Sequence, residues 1–195
     1  MRYTVVVREM SRDECLGLLS QGRLARLGCA SENQPYVVPI YYAYHKAPDG
    51  ESYLYGFTTV GQKVEWMRAN PRVCVEWDEV TRYDQWVSVI VFGRYEELPG
   101  PTEPGAPDQA ARPPMRATLP EESEEDWGRR KAYELLQEHT TWWQPGAAAY
   151  AASGHRDRSR SFRALYYRIR IDQVTGHRAS PDAPGGGELA AFASE

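Results

Sequence analysis

The stretch from Gly22 to Leu98 most constrains the fold of this chain. It holds three consecutive strand patterns, a Thr-Thr-Val-Gly-Gln-Lys turn that opens a short helix, and two further strand patterns. The strand patterns are rich in β-branched and aromatic residues and are bounded by Gly, Pro, Asn and Asp. Short connections of this kind favour antiparallel neighbours. We therefore predict a mainly β (α+β) fold, an antiparallel barrel with its helices outside.

A helix is predicted ahead of the first strand. Ser11 begins Ser-Arg-Asp-Glu, a capping box whose hydroxyl and carboxylate satisfy amides at the start of a helix. This helix should run to about Ser20 and end at Gly22 in the left-handed conformation. Residues 4–8 form either a short strand or a disordered lead-in. The predicted strands cover residues 24–30, 36–45, 52–57, 72–79 and 86–98, with a second helix over residues 61–69.

The C-terminal half has a different composition. Seven prolines fall between Pro99 and Pro120, which predicts a long surface excursion. Residues 121–139 predict a helix with acidic residues at its start, and residues 162–172 alternate as a final strand. We expect one domain over residues 1–178, with its core at 11–98, an extension at 121–178 and a disordered tail at 179–195.

Charge and composition exclude several classes of function. The formal net charge is −4, so there is no basic field to attract nucleic acid or an anionic membrane. No apolar run approaches the roughly 18 residues of a membrane span, and no secretory leader is recognisable, so a cytoplasmic location is expected. The cysteines and the four histidines lack metal-ligand spacing, so no metal site is predicted. We interpret the cysteines as small buried hydrophobes.

Two segments carry candidate chemistry. The turn from Thr58 to Lys63 offers hydroxyls, a glycine and an ammonium at a helix N-terminus, which favours a phosphate. The alternative is a threonine cap beside a solvated lysine. The strand around Pro39 is either a plain core strand or one whose backbone reads the edge of a flat heterocycle, because proline cannot pair in a ladder and the strand must be bulged or at an edge there.

The ordered series of motifs resembles a known family. The series is Gly-Arg-Leu-Ala-Arg-Leu, Pro-Tyr-Val-Val-Pro-Ile, Gly-x-Lys at a helix start, Asn-Pro-Arg-Val-Cys, and Trp-x-Ser-Val with a later Gly-Arg. It resembles the flavin-binding split-barrel proteins of the pyridoxamine 5′-phosphate oxidase-like superfamily, and most closely their nitroimidazole-resistance-type branch. The resemblance covers residues 11–98, with weaker support over 142–178. It implies a six-stranded antiparallel Greek-key split β-barrel with peripheral helices and a C-terminal extension.

The resemblance also implies a cofactor site between two subunits. The cofactor is flavin mononucleotide (FMN), with its deazaflavin analogue as an alternative. Its phosphate is held by Thr58, Thr59, Gly61 and Lys63. Its ring is lined by Val38, Pro39, Ile40 and Tyr41. Ser88 approaches from the partner of a homodimer, and Trp143 lies near the pocket.

The implied function is an FMN-dependent oxidoreductase. It reduces or oxidises a small compound, aromatic or nitro, with NAD(P)H as the donor. The oxidase that makes pyridoxal phosphate ends in Arg-Leu-x-Pro, and this chain lacks that ending, so vitamin B6 oxidation is not predicted. The alternative is a non-catalytic carrier or sensor of flavin or haem, with His45 or His155 as a haem ligand. No individual catalytic residue is predicted.

Overall fold

The computed structural model of the protein describes residues 5–98, 124–137 and 164–181, which form eight strands and three helices. In chain order the elements are β1 (Val5–Glu9), α1 (Arg12–Gln21), β2 (Leu24–Ser31), β3 (Gln34–Tyr41), β4 (Ala43–Lys46), β5 (Ser52–Thr59), α2 (Gln62–Ala69), β6 (Arg72–Arg82), β7 (Gln85–Leu98), α3 (Glu124–Gln137) and β8 (Ala164–Pro181). The predicted Pro-rich excursion and Trp143 lie outside the described residues.

All eight strands belong to one antiparallel sheet with the order β3-β2-β6-β7-β8-β5-β4, and β1 pairs with the far end of β8. The mainly β, antiparallel split-barrel class predicted from the sequence is confirmed. The described part of the chain has eight strands rather than six. Residues 5–9 form a strand, and the strand predicted over residues 36–45 is divided at Tyr42.

The sheet is open, yet its two edges are covalent neighbours. β3 is one edge and β4 is the other, and only Tyr42 separates them in the chain. The sheet must therefore curl until its edges almost meet. The Tyr42 ring is fully buried and its hydroxyl donates to the Leu19 carbonyl oxygen at 3.0 Å, which anchors the point of closure to α1.

Two hydrophobic cores lie on opposite faces of the sheet. The main core fills the inside of the curl and includes Leu27, Val75, Val91 and Ile169. A smaller second core lies beneath α3, where Leu136 packs among aromatic side chains of β5 and β8. The alternation predicted for the last strand is confirmed, because its odd-numbered apolar residues from 165 to 171 enter the main core. The face of the sheet that is turned away from the main core is the outer face.

Helix α1 begins as the sequence predicts and ends differently. The Ser11 hydroxyl accepts the Glu14 amide, and the Glu14 carboxylate accepts the Ser11 amide, which completes the capping box. Gly22 caps the C-terminus in an extended conformation with φ −72°, so the predicted left-handed end is wrong. Glycine is needed here for space, because a Cβ atom would lie 2.3 Å from Trp77 Nε1 and 2.4 Å from the Tyr42 hydroxyl.

Replacing Ser11 with alanine should lower the free energy of unfolding by about 1 kcal/mol, because the helix loses the side-chain acceptor for a first-turn amide. Urea denaturation at neutral pH measures this change. Ser20→Ala is the matched control on the same helix. The Ser20 hydroxyl only donates back to the Gly17 carbonyl oxygen, and its loss should be close to neutral. Equal effects of the two substitutions would contradict the role of the cap.

Strand β8 is longer than the sequence predicts. It continues to Pro181, pairing with β7 and then with β1 through residue 181. The tail predicted to be disordered over residues 179–195 therefore includes three residues of strand, and its remainder lies outside the described residues. The continuation was hidden because β8 contains a register shift opposite Phe92 and Gly93, which interrupts the alternation of apolar residues.

Candidate functional site

The N-terminus of α2 is the first part of the candidate site. β5 ends at Thr59, and Gly61 caps the helix in an extended conformation without a side-chain hydrogen bond. The Gly61 carbonyl accepts the amides of Val64 and Glu65 at 2.9 and 3.1 Å. The earlier amides of the helix have no acceptor within it, and together with the helix dipole they favour an anion at this end.

Lys63 lies in the first turn of α2 and is half-buried. Its side chain forms no hydrogen bond or ion pair with any residue in the described ranges. Burial lowers the pKa of the Lys63 ammonium, and the nearby Cys29 thiol opposes the shift. A half-buried ammonium without a counter-charge is costly. A bound anion would offset this cost, so Lys63 favours an anion at this position.

The two threonines before the helix face different surroundings. The Thr58 side chain is buried, and its hydroxyl donates to the Thr59 carbonyl oxygen at 3.2 Å. Thr59 is half-buried and lies on the other face of β5, since successive side chains of a strand alternate. Because Thr59 is the more exposed of the two, its hydroxyl is more accessible to a ligand than that of Thr58.

The four β3 residues predicted to line a ring are divided between two faces. Ile40 is buried in the main core and Val38 packs against it. Tyr41 packs against the second core, and Pro39 is exposed. No single flat ligand can touch all four side chains on one face of β3. Any shared contact must use the backbone.

The backbone of β3 presents N–H and C=O groups that pair with no other described strand at the open edge of the sheet. The Tyr42 amide donates to the Arg23 carbonyl oxygen on the β2 side at 2.9 Å. By strand alternation, the backbone groups of Tyr41, Pro39 and Val37 then turn away from β2. Proline is tolerated at position 39 for this reason, because its missing N–H faces the edge. Pro39 therefore lies in an edge strand, one of the two placements predicted for it.

The structure does not bring Ser88 to the Lys63 side of the molecule. Ser88 lies half-buried on the outer face of β7, where it pairs with Asp78 of β6 and His177 of β8. A role for Ser88 at a ligand held by Lys63 would therefore need a second copy of the chain, as the resemblance implies. Trp143 and His155 lie outside the described residues.

The haem alternative rests partly on His45, which sits on β4. Its ring packs edge-on against Tyr55, with centroids 6.0 Å apart. Burial, with Lys131 of α3 nearby, lowers the pKa of His45. His45 is half-buried, and its role as a haem ligand stays a prediction. Within residues 5–98, 124–137 and 164–181, no three His, Cys, Asp or Glu side chains are grouped to hold a metal ion.

Sequence reasoning missed two features of the molecule. One is the position of the Cys29 thiol beside Lys63, which depends on how α2 packs across β2. The other is a groove on the outer face that includes Cys74. Cys15 and Cys29 are buried as predicted, whereas Cys74 is half-buried and lines this groove. No helix in the described part of the chain is long and apolar enough to cross a membrane.

Comparison with known proteins places the chain among relatives of the predicted kind. It is 36% identical over 179 residues to an uncharacterised protein of Rhizobium meliloti, covering 89% of this chain and 95% of that protein. It is also similar to the crystal structure of an FAD-binding protein from Mesorhizobium loti. That comparison gives 37% identity, a TM-score of 0.61, and coverage of 91% of this chain and 99% of that one.

A more distant structure shares the fold alone. It is a candidate 5-nitroimidazole antibiotic resistance protein from Bacteroides thetaiotaomicron, 15% identical with a TM-score of 0.54, covering 92% of each chain. The family model described as pyridoxamine 5′-phosphate oxidase matches residues 11–139. The chain belongs to this pyridoxamine 5′-phosphate oxidase family.

Proposed function

We propose that the protein is a flavin-dependent oxidoreductase that holds the flavin phosphate with Lys63. The observation that carries the proposal is the half-buried Lys63 ammonium, which has no partner in the described ranges and lies in the first turn of α2. The phosphate of a flavin supplies the missing charge, and charge-assisted hydrogen bonds to it are strong. Thr59 and the first amides of α2 complete the cradle.

Family and relatives support a flavin in this role. The Mesorhizobium loti relative is described as FAD-binding. FMN is the form implied by the sequence motifs, and FAD contains the same phosphate and ring. The bound flavin supplies the hydride or electron relay. The chain would position the ring at the open edge of β3, where the backbone of Val37 and Pro39 turns outward.

Reduction of the bound flavin tests the activity. Purified protein loaded with FMN should lose its yellow colour when NADH or NADPH is added without oxygen, and a small nitroaromatic compound should restore the colour. Chemical reduction with dithionite controls for a flavin that is bound but inaccessible. Protein that binds flavin but is bleached by neither nicotinamide contradicts NAD(P)H as the donor, and flavin that no donor reduces would favour a carrier. Protein that binds no flavin contradicts the whole proposal.

We further propose that two chains form a homodimer with the cofactor at the interface. The hairpin between β6 and β7 exposes 63% of Val80 and 73% of Tyr83, with Trp86 half-buried beside them. Exposed aromatic and aliphatic side chains of this kind suit an interface core. In the two-fold assembly, the ring held near Lys63 of one chain would be partly covered by the partner subunit's Ser88.

The hairpin predicts a mutation that separates the subunits. Val80→Asp should shift the protein from dimer to monomer, because a buried, unpaired carboxylate is costly at an interface. Sedimentation equilibrium measures the change. Trp127→Asp on α3 is the control, since Trp127 is also exposed, at 41%, but lies on a different element. A wild-type protein that is monomeric at all concentrations and binds flavin at full strength contradicts the shared site.

A further inference from the structure

A groove of about 340 Å³ runs over the outer face of β2, β3, β6 and β7. Its walls are almost entirely apolar. The Phe92 ring is 48% exposed and Val37 is 64% exposed, so large apolar surfaces face solvent here. The lining includes Val37, Arg72, Cys74 and Phe92. Arg72 is the single charged residue among them.

Arg72 begins a row of three arginines across neighbouring strands. It pairs in register with Arg94 of β7, and Arg94 pairs with Arg170 of β8. Like charges directly opposite one another destabilise a sheet. Such a row therefore needs nearby negative charge, either from the protein or from a ligand.

The protein supplies one carboxylate to this row. β8 carries one extra residue opposite Phe92 and Gly93, and Asp172 is the residue left without a register partner on β7. Asp172 forms ion pairs with Arg94 at 3.2 Å and with Arg170 at 3.1 Å. A β-bulge commonly re-aims a side chain in this way. Here it places the Asp172 carboxylate beside two of the three arginines.

Arg72 is the member of the row that forms no ion pair with Asp172. Its side chain forms no hydrogen bond or ion pair within residues 5–98, 124–137 and 164–181. The row therefore carries an excess of two positive charges, and its unpaired member lines the apolar groove. A ligand that suits the groove needs a flat apolar part for Phe92 and an anionic group for Arg72.

The distance between Phe92 and Arg72 limits which ligands can contact both side chains. Phe92 pairs with Cys74, which is two residues along β6 from Arg72, a separation of about 7 Å between the rows. A nucleoside phosphate has this form, with a base at one end, a phosphate at the other and a sugar between them. Bases stack readily on exposed aromatic side chains, and arginine recognises phosphate in a bidentate manner.

We infer that the outer groove binds the base and phosphate of a nucleotide, with the base on Phe92 and the phosphate on Arg72. Two sources share this chemistry. One is the adenylate half of FAD, which rests on the proposed flavin function and would require FAD rather than FMN. The other is a separate nucleotide, which does not depend on the flavin. The groove lies at the opposite end of β6 from Val80, so its binding residues are separate from the hairpin at which the dimer is tested.

Binding of AMP, FMN and FAD to the full-length protein tests the inference by isothermal titration calorimetry. Arg72→Ala should weaken AMP binding about 10- to 100-fold, and Phe92→Ala about tenfold or more. Arg12→Ala is the matched control, because Arg12 is exposed on α1 and has no ion pair among the described residues. Its affinity for AMP should equal that of the wild type.

The pattern across ligands separates the two sources. If Arg72→Ala weakens AMP and FAD but not FMN, the groove holds the adenylate half of FAD. If it weakens AMP alone, the groove binds a separate nucleotide. Wild-type protein that binds AMP but not FMN would contradict the flavin proposal and leave this one intact. The inference is wrong if AMP does not bind, if the Arg72 and Arg12 variants bind it equally, or if Phe92→Ala instead dissociates a dimer that covers the groove.

Discussion

Replacing Lys63 with alanine should weaken flavin binding by about 1.5–3 kcal/mol, the usual contribution of a hydrogen bond to a charged group. This corresponds to a loss of affinity of about tenfold to more than a hundredfold. Quenching of flavin fluorescence measures the affinity. The fold should persist, because removing a half-buried ammonium without a partner among the described residues relieves a desolvation cost.

Two further variants make the Lys63 result specific. Lys46→Ala removes the same charge from an exposed position at the end of β4 and should leave the affinity unchanged. Lys63→Arg should retain binding at alkaline pH. Because burial lowers the pKa of Lys63 below the ordinary value of 10.5, the wild type should lose its charge, and with it phosphate affinity, at a lower pH than the arginine variant. Identical pH profiles would argue that another group holds the phosphate.

Replacing Gly93 with alanine should be among the most destabilising single changes in the sheet. A Cβ atom at this position would lie 2.3 Å from the Arg170 carbonyl oxygen and 2.9 Å from the Ile169 side chain. The carbonyl belongs to the backbone, so β8 itself would have to move at the bulge. We expect a loss of about 3 kcal/mol, the upper end for overpacking, measured by urea denaturation.

Gly17→Ala provides the opposite control for this prediction. Gly17 lies inside α1, and a Cβ atom there would meet nothing within 4 Å. The substitution should stabilise the protein by up to about 1 kcal/mol, because alanine favours the helix and restricts the unfolded chain. If Gly93→Ala were equally harmless, the close approach of β7 and β8 at the bulge would not be a constraint on this sequence.

Local features of the fold were predictable from the sequence, and features that depend on distant pairing were not. The capping box at Ser11, the helix start at Gly61 and the alternation from Leu165 to Ile171 are each written within a few residues. The division of a strand at Tyr42 is different, because it depends on β3 pairing with β2 while β4 pairs with β5. No local pattern specifies which strand lies beside which.

The functional regions were likewise predictable where their residues are close in sequence and not where they meet through strand pairing. The threonines and the glycine before α2 and the lysine in its first turn were identifiable from their spacing, and their placement at a helix N-terminus follows from that spacing. The row from Arg72 to Arg170 was not, since its members are 22 and 76 residues apart in the chain and meet only through strand register. The bulge at Asp172 could not be predicted from the sequence pattern either, because one inserted residue shifts the alternation of apolar and polar residues by one position.

The position of β8 in the sheet has a consequence for how the protein is made. β8 lies between β7 and β5 and leaves the ribosome after the seven other described strands, so neither neighbour can complete its pairing until residues 164–181 have emerged. The contact between Leu54 and Ile169 spans 115 residues of chain, and such long-range pairing slows folding. Until residues 164–181 emerge, the nascent chain carries unpaired strand edges on β5 and β7, which are surfaces that chaperones bind and that promote aggregation. Premature termination just before residue 164 should therefore yield an insoluble product rather than a smaller barrel.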